Sequence, residues 1–108
     1  MSDLAFHWAP TARRKSIARR GLVPGSRSRC GAWRPPFVCF SRDPAYAIAS
    51  TDVQVPVTEA MDLWQINLDE LQMSREEFGW QDEMRFYERI PARFLTLLAT
   101  RTYDEGGA

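Results

Sequence analysis

The sequence is poor in the residues that build metal centres and disulfide frameworks. It contains one histidine and two cysteines among 108 residues, and a single histidine cannot supply the common multi-histidine zinc site. Cys30 and Cys39 are separated by eight residues, two of which are prolines, and this spacing indicates neither a zinc ligand pair nor a disulfide scaffold. We therefore expect no metal site, and we interpret both cysteines as reduced.

Long apolar segments are also missing. No window approaches the roughly 18 apolar residues that a membrane-spanning helix needs. The first residues show neither the basic region nor the apolar region of a signal peptide. These features predict a cytoplasmic protein with no membrane partner.

The glycine motifs of several large enzyme classes do not occur. There is no Walker loop, no Gly-x-Gly-x-x-Gly after a strand and no Gly-x-Ser-x-Gly elbow. The sequence therefore does not indicate a P-loop or Rossmann nucleotide site. A Ser-His-Asp hydrolase would need a triad chosen without spatial support.

The composition is that of one small globular domain. The sequence is 44% hydrophobic and 26% charged, which is ordinary for a soluble fold. Its length fits a single domain spanning 1–108, in which residues 103–108 are expected to fray. Strands outnumber helices, the helices come early and no regular alternation of strand and helix is visible, so we predict the α+β class.

The first predicted elements are a strand and a short basic helix. Apolar and aromatic residues at 4–8 predict a strand that carries His7. Residues 12–20 then predict a two-turn helix, which Thr11 would cap and Gly21 would end.

A second strand and helix are predicted further along. The apolar run 37–40 predicts a buried strand, and the helix after it would be capped by Ser41 and opened by Pro44. The preceding segment 23–36 combines Gly, Pro, Ser and Arg without periodicity, which predicts a long loop suited to a polyanion.

Strands dominate the predicted second half. Alternating or β-branched apolar residues predict strands at 54–58, 63–68, 83–90 and 94–101. A capped acidic turn is predicted over 74–78.

The net charge of zero conceals a division along the chain. Residues 1–42 hold nine Lys or Arg against Asp3 alone, whereas residues 43–108 hold five Arg against thirteen Asp or Glu. Such asymmetry favours a face that attracts the phosphates of a dinucleotide or a nucleic acid. The alternative is that the two halves neutralise each other, and the sequence leaves both interpretations open.

Three blocks of the sequence resemble the ADP-ribosyltransferase superfamily. The run 6–22 is similar to the opening of such domains, where a strand histidine is followed by a helix with a Gly-Leu ending. The run 36–47 resembles the family's second strand and the helix after it. The run 81–95 resembles the strand of the catalytic glutamate and its Ile-Pro ending. The blocks occur in the family's order.

The resemblance implies a fold and a chemistry. The layout is similar to that of DNA-targeting ADP-ribosyltransferase toxins and RNA 2′-phosphotransferases, which implies a small split antiparallel or mixed sheet with one or two short early helices. It also implies NAD as co-substrate, with Glu83 as the carboxylate that stabilises the oxocarbenium-like transition state. Glu88 is the competing choice. His7 is implied as the residue that binds ribose hydroxyls.

Further residues follow from the same resemblance as candidates for NAD binding. Tyr46 would stack on the nicotinamide ring, and Ser41 would bond its carboxamide. Arg13 and Arg14 would hold the pyrophosphate. Each has a structural interpretation too: helix packing for Tyr46, capping for Ser41 and a solvated charged face for the arginines.

Three functional hypotheses stay open at this point. The first is an NAD-dependent ADP-ribosyltransferase acting on a protein or nucleic acid. The second is a catalytically silent relative that binds a nucleotide or a partner protein, which Trp8 and Ala9 favour because they replace the residues usual after the family's histidine. The third is a basic domain that binds nucleic acid without an enzymatic role.

Overall fold

The computed structural model describes residues 3–24, 37–52, 58–69, 71, 77–78 and 83–102. In chain order the regular elements within these ranges are β1 (Leu4–Pro10), α1 (Arg14–Arg20), β2 (Val38–Ser41), α2 (Pro44–Asp52), β3 (Met61–Asn67), β4 (Glu77–Phe78), β5 (Glu83–Phe86) and β6 (Leu95–Arg101). Single 3-10 turns precede α1 and β6, at Thr11–Arg13 and Ala92–Phe94. Neither described helix is long and apolar enough to cross a membrane.

The strands form one sheet in the order β4-β5-β2-β1-β3-β6. Every described strand pairing is antiparallel. Both helices are short and lie in the first half of the chain. The molecule is therefore a small α+β domain, which confirms the class predicted from the order of the elements.

The sheet is nearly divided between β1 and β2. β1 pairs with β3 over seven residue pairs, and β2 pairs with β5 over four. β1 and β2 pair only through Phe6 and Ser41. Two antiparallel ladders, β1-β3-β6 and β4-β5-β2, are thus joined at one residue pair. The strands nevertheless form one continuous sheet, not the split sheet that the resemblance implied, and no parallel pairing occurs among the described strands.

The main core lies on the side of the sheet that α1 covers. Cross-strand partners point to the same side of a sheet, so Phe40 faces that core together with its partner Met84. Ile17 anchors α1 to the cluster, and Trp64 is only 4% exposed. The cluster comprises Ala5, Ala9, Ile17, Leu22, Val38, Phe40, Trp64, Ile66, Leu68, Met84, Phe86, Ile90 and Phe94.

The helix α1 ends where the sequence predicts but begins differently. Gly21 has a φ of 81° and its N–H bonds to the carbonyl of Ile17 at 2.8 Å, so it ends the helix in a conformation that favours glycine. Thr11 was predicted as the N-cap, and this is wrong. Its hydroxyl donates instead to Asp62 of β3 at 2.8 Å, and the chain enters α1 through a 3-10 turn.

The helix α2 is capped by a different residue from the one predicted. Ser41 is the last residue of β2, and its Oγ accepts the N–H of Asp43 at 3.0 Å. Asp43 Oδ1 accepts the N–H of Ala45 at 3.0 Å, which is the geometry of an N-cap. Pro44 is the first residue of the helix, as predicted.

Elements in the second half differ from prediction mainly in length. The strand predicted over 83–90 ends at Phe86, because the chain then turns to pair Ile90 with Leu22. Residues 77–78 form a two-residue strand where an acidic turn was predicted. The predictions for 54–57, 74–76 and 103–108, and for all of the loop predicted over 23–36 except its first two residues, lie outside the described residues.

Candidate functional site

A cleft opens where β1 and β2 separate. Nine residues of β1, β2, α2 and β5 line it: His7, Trp8, Cys39, Phe40, Tyr46, Ala47, Ser50, Thr51 and Glu83. Its empty volume is about 230 Å³ and it is open to solvent. Because part of this space is open solvent, the cleft encloses well under the roughly 300–1,000 Å³ of typical small-molecule sites, and a ligand there would stay largely exposed.

His7 occupies the gap between the two strands. Its Nδ1 lies 2.6 Å from the carbonyl oxygen of Cys39 on β2. A carbonyl can only accept, so Nδ1 carries the proton in this bond, and Nε2 is the acceptor of the neutral ring. A side chain thus bridges β1 and β2 just beyond their only pair, Phe6 and Ser41. The bond fixes which ring nitrogen can accept from a ligand.

Glu83 stands at the start of β5, opposite Ser41 in the ladder. Its side chain is 21% exposed, and its Oε2 accepts the Nε of Arg85 at 2.6 Å. The two side chains lie on the same side of the strand because they are two residues apart. Arg85 is held in turn against the ring of Phe37, 4.4 Å from its centroid. Hydrogen bonding to Glu83 is the main cause that raises the pKa of Arg85.

The competing carboxylate does not reach this position. Glu88 is exposed and follows the end of β5, and it does not line the cleft, whereas Glu83 does. Of the two carboxylates that the sequence left open, Glu83 is therefore the one that lies beside His7 and Tyr46.

Two residues of the run 36–47 were candidates for NAD binding, and one of them lines the cleft. Tyr46 on α2 is half-buried and lines the cleft. Ser41 is 1% exposed and is not a lining residue, and its Oγ serves the turn into α2. Ser50 follows Tyr46 by four residues, and Thr51 follows Ala47 by four, so both lie one helical turn further along α2 and add hydroxyl groups to the cleft wall. This four-residue spacing is the sequence signal that could have found them.

The two arginines expected at a pyrophosphate lie elsewhere. Arg14 donates from Nε and Nη2 to Asp62 at 2.9 and 2.7 Å, and also to Thr100 at 2.8 Å. The Asp62 side chain is fully buried, and Thr11 and Thr100 each donate to it at 2.8 Å. Neither Arg13 nor Arg14 lines the cleft. Arg14 therefore ties α1 to the sheet, and its assignment to phosphate binding stays a prediction without support from the cleft.

The hydrogen bonds of this network favour the ionised form of the Asp62 carboxyl. Hydrogen bonding by Arg14, aided by Thr100 and Thr11 and by the charge of Arg14, lowers the pKa of the Asp62 carboxyl, although burial opposes the shift. A buried carboxylate with several donors is stable as an anion. The network is therefore structural, and it fixes the angle at which α1 meets β3 and β6.

Asp52, which the sequence pattern did not single out, supports one wall of the cleft. Trp8 lines the cleft, and its Nε1 donates to Asp52 Oδ1 at 3.0 Å. Arg101 donates to both oxygens of Asp52 at 3.0 and 3.3 Å and lies 5.2 Å from the Trp8 ring centroid. Hydrogen bonding by Arg101 is the main cause that lowers the pKa of Asp52. The end of α2 is thus fastened to β1 and β6.

The described residues contain no group of three or more His, Cys, Asp and Glu side chains arranged to hold a metal ion. Cys39 is a reduced thiol, half-buried in the cleft wall.

Comparison with protein-family models and with curated proteins gives no match to this sequence. The cleft combines an imidazole, a carboxylate, a phenol and two hydroxyls beside apolar side chains.

Proposed function

We propose that this domain is a member of the ADP-ribosyltransferase superfamily that binds NAD in the cleft and transfers its ADP-ribose to a protein or nucleic-acid acceptor. One observation carries the proposal. His7, Tyr46 and Glu83 come from three separate blocks of the sequence, and all three line one cleft. Each was chosen for a different part of the same reaction. Their convergence supports a common ligand.

The near-division of the sheet also supports the proposal. An ADP-ribosyltransferase-like fold would place its nucleotide in an opening between two sets of strands. Here the opening lies between β1 and β2, where a single residue pair joins the ladders, and the strand histidine bridges it. The order of the three blocks and the position of the gap favour the same fold.

The proposed chemistry begins with cleavage of the bond between nicotinamide and C1′ of its ribose. The bonding electron pair leaves with nicotinamide, and positive charge develops on the ribose. The Glu83 carboxylate would stabilise that charge electrostatically. A nucleophilic oxygen or nitrogen of the acceptor then bonds to C1′ and loses its proton.

The lining of the cleft suits the nicotinamide riboside half of NAD. Tyr46 offers aromatic surface for the nicotinamide ring. The Nε2 atom of His7 would accept a hydrogen bond from a ribose hydroxyl, because the Nδ1 proton is donated to the carbonyl oxygen of Cys39. The adenosine half would extend over the rim, since the cleft is open to solvent.

The test is nicotinamide release combined with transfer of label from NAD labelled in its adenylate half. Glu83→Gln keeps the size of the side chain and removes its charge, so release should fall at least about 100-fold. Glu88→Gln is the matched control and should leave the rate within about twofold, because this residue is exposed outside the cleft. Equal rates for wild type and Glu83→Gln would contradict the proposal.

A nucleotide-binding domain without turnover is the second candidate. The ion pair between Glu83 and Arg85 at 2.6 Å favours it, because a carboxylate held by a guanidinium offers less charge to a ribose cation. Calorimetry separates the two candidates. Saturable NAD binding with no nicotinamide release supports the binder, whereas release without label transfer to any macromolecule identifies an NAD hydrolase.

A further inference from the structure

We infer that the outer side of α1 and the segment after β5 together form a docking surface for the phosphodiester backbone of a nucleic acid. We call this surface the basic face, and it consists of Lys15, Arg19, Arg20, Arg89 and Arg93. The inference is independent of NAD chemistry, because none of these residues lines the cleft.

The basic face is continuous although its residues are far apart in sequence. Leu22 and Ile90 exchange backbone hydrogen bonds of 3.0 and 2.9 Å just beyond α1. Arg89 Nη1 donates to the carbonyl oxygen of Arg20 at 2.9 Å. The helix α1 also packs against the 3-10 turn that contains Arg93. The last turn of α1 and the residues from Arg89 to Arg93 therefore share one surface.

The cations of this face are exposed and have no carboxylate partner among the described residues. All five side chains are exposed. The ion pairs found in the described ranges employ other cations, namely Arg14, Arg42, Arg85 and Arg101. The helix α1 contains no acidic residue. Glu88 is the acidic residue within the segment 87–93, so the face keeps a strong positive charge.

The ion pairs of the described residues bear on a question that the sequence left open. The basic first half and the acidic second half could neutralise each other. Arg14 with Asp62 joins a base of the first half to an acid of the second. Asp3 with Arg42, Asp52 with Arg101 and Glu83 with Arg85 each lie within one half. Within the described ranges, Lys15, Arg19 and Arg20 form no ion pair with the acidic half.

A nucleic acid fits the basic face better than a membrane or a protein. A helix that binds membranes inserts an apolar side, but the apolar anchor of α1, Ile17, is buried in the core. Protein interfaces usually have an apolar centre, and the exposed positions of α1 are charged or small, with Ser16 and Ala18 between the cations. Rows of arginine without apolar residues suit phosphate oxygens, which guanidinium groups bind in bidentate fashion.

The basic face and the cleft share no residue. Of the residues that line the cleft, Phe40 belongs to the core cluster, whereas Trp8 is adjacent in β1 to the cluster residue Ala9 and points to the other side of the sheet. Substitutions on the basic face leave every lining residue of the cleft unchanged. Nucleic-acid binding and NAD binding can accordingly be measured separately.

The experiment measures binding of the full chain to fluorescent oligonucleotides of mixed sequence, as single and double strands of DNA and RNA, over about 50–200 mM salt. For duplex DNA each phosphate contact contributes about 0.9 to the slope of log K against log salt. Four or five contacts give a slope of about −3.6 to −4.5 and a loss of affinity of a few hundredfold over this range. A flat salt response would overturn the inference.

Variants locate the site. The triple variant Lys15→Gln, Arg19→Gln and Arg93→Gln removes three exposed cations without cutting a described hydrogen bond or ion pair. It should reduce the slope by about 2.7 and weaken binding at the lowest salt at least tenfold. Arg19→Gln alone should reduce the slope by about 0.9. Arg42→Gln also removes one positive charge, but from outside the basic face, and should reduce the slope by less.

The remaining outcomes also decide the question. If wild type binds and the triple variant binds equally well, the cations of the face are not the site. Equal effects of Arg19→Gln and Arg42→Gln would mean attraction by overall charge, which contradicts a defined face. Binding to phosphatidylserine vesicles without binding to oligonucleotides would identify a lipid partner instead. Circular dichroism melts confirm that each variant is folded.

Discussion

The imidazole Nδ1 of His7 bonds to the carbonyl oxygen of Cys39 at 2.6 Å, across the gap where β1 and β2 cease to pair. A side chain here does what a backbone N–H does in a regular ladder, which is to satisfy a carbonyl of the neighbouring strand. His7 is therefore both a structural bridge and a wall of the cleft. The two roles can be separated by substitution.

His7→Asn should keep the fold and lose the ligand. The Asn amide nitrogen occupies nearly the position of Nδ1 and can donate to Cys39, but the Asn side chain has no equivalent of Nε2. We expect stability within about 0.5 kcal/mol of wild type and NAD binding weakened at least tenfold. His7→Ala should lose both, with a stability loss of about 1–3 kcal/mol from the unsatisfied carbonyl. Urea unfolding and calorimetry measure the two effects, and unchanged NAD affinity in His7→Asn would contradict the ribose-binding role.

Arg85 should position Glu83 rather than contact NAD directly. Arg85→Met removes the guanidinium that holds Glu83 at 2.6 Å and lets the carboxylate rotate. Under the proposed function, the loss of the fixed carboxylate position outweighs the release of its charge from Arg85, so kcat should fall about tenfold, which corresponds to about 1.4 kcal/mol, while KM for NAD changes little. Arg85→Lys should recover part of the rate because it keeps the positive charge. A raised KM with unchanged kcat would instead mean that Arg85 binds the substrate.

The stability of the domain should fall in acid through Asp62. The folded-state pKa of Asp62 lies below its ordinary value of 3.8, so its contribution is complete at pH values well above 3.8 and is lost as the pH falls through the folded pKa. Asp62→Asn should cost about 1.5–3 kcal/mol at pH 7, since hydrogen bonds to a charged group are lost. Urea midpoints measured between pH 7 and pH 3 should then decline less for Asp62→Asn than for wild type. Parallel declines would contradict this, and Glu88→Gln serves as an exposed control.

Gly21→Ala should destabilise the domain more than its position at a helix end suggests. A Cβ atom at Gly21 would lie 2.0 Å from the carbonyl oxygen of Ile90, and φ is 81°. The clash falls on backbone and cannot be relieved by a rotamer change, so we expect a loss of at least about 2 kcal/mol. Ala18→Gly, at an exposed position of the same helix, should cost about 1 kcal/mol or less. Thermal melts that show the reverse order would contradict the close contact.

Features with a local cause could be predicted from the sequence. The apolar run around His7 predicts β1, and Gly21 ends α1 because no other residue tolerates its conformation. Prolines mark the start of α2 and the point before the last 3-10 turn. Where two capping residues stand close together, as Ser41 and Asp43 do, the sequence could not decide which one binds the helix N–H groups, because both have suitable oxygens.

Features with a distant cause could not be predicted. Arg14 and Asp62 are 48 residues apart, and the second half of the chain offers many acidic residues as partners. Asp52 reaches Trp8 across 44 residues, and nothing in either local sequence indicates the pairing. The cleft could be anticipated only through the family resemblance, since alternation and capping do not show where two neighbouring strands stop pairing.

The junction between β1 and β2 makes the width of the cleft a property of side chains. In a continuous ladder, strand separation is fixed by repeated backbone bonds at about 4.8 Å. Here Phe6 and Ser41 form the one backbone pair. The next bond between the two strands is made by the imidazole of His7, so the size of that side chain affects how far apart the strands lie. Substitution at position 7 can therefore widen or narrow the opening while the ladders on either side keep their own registers. The cleft is tunable at a single site, which gives protein engineers a means of changing ligand size without redesigning the sheet.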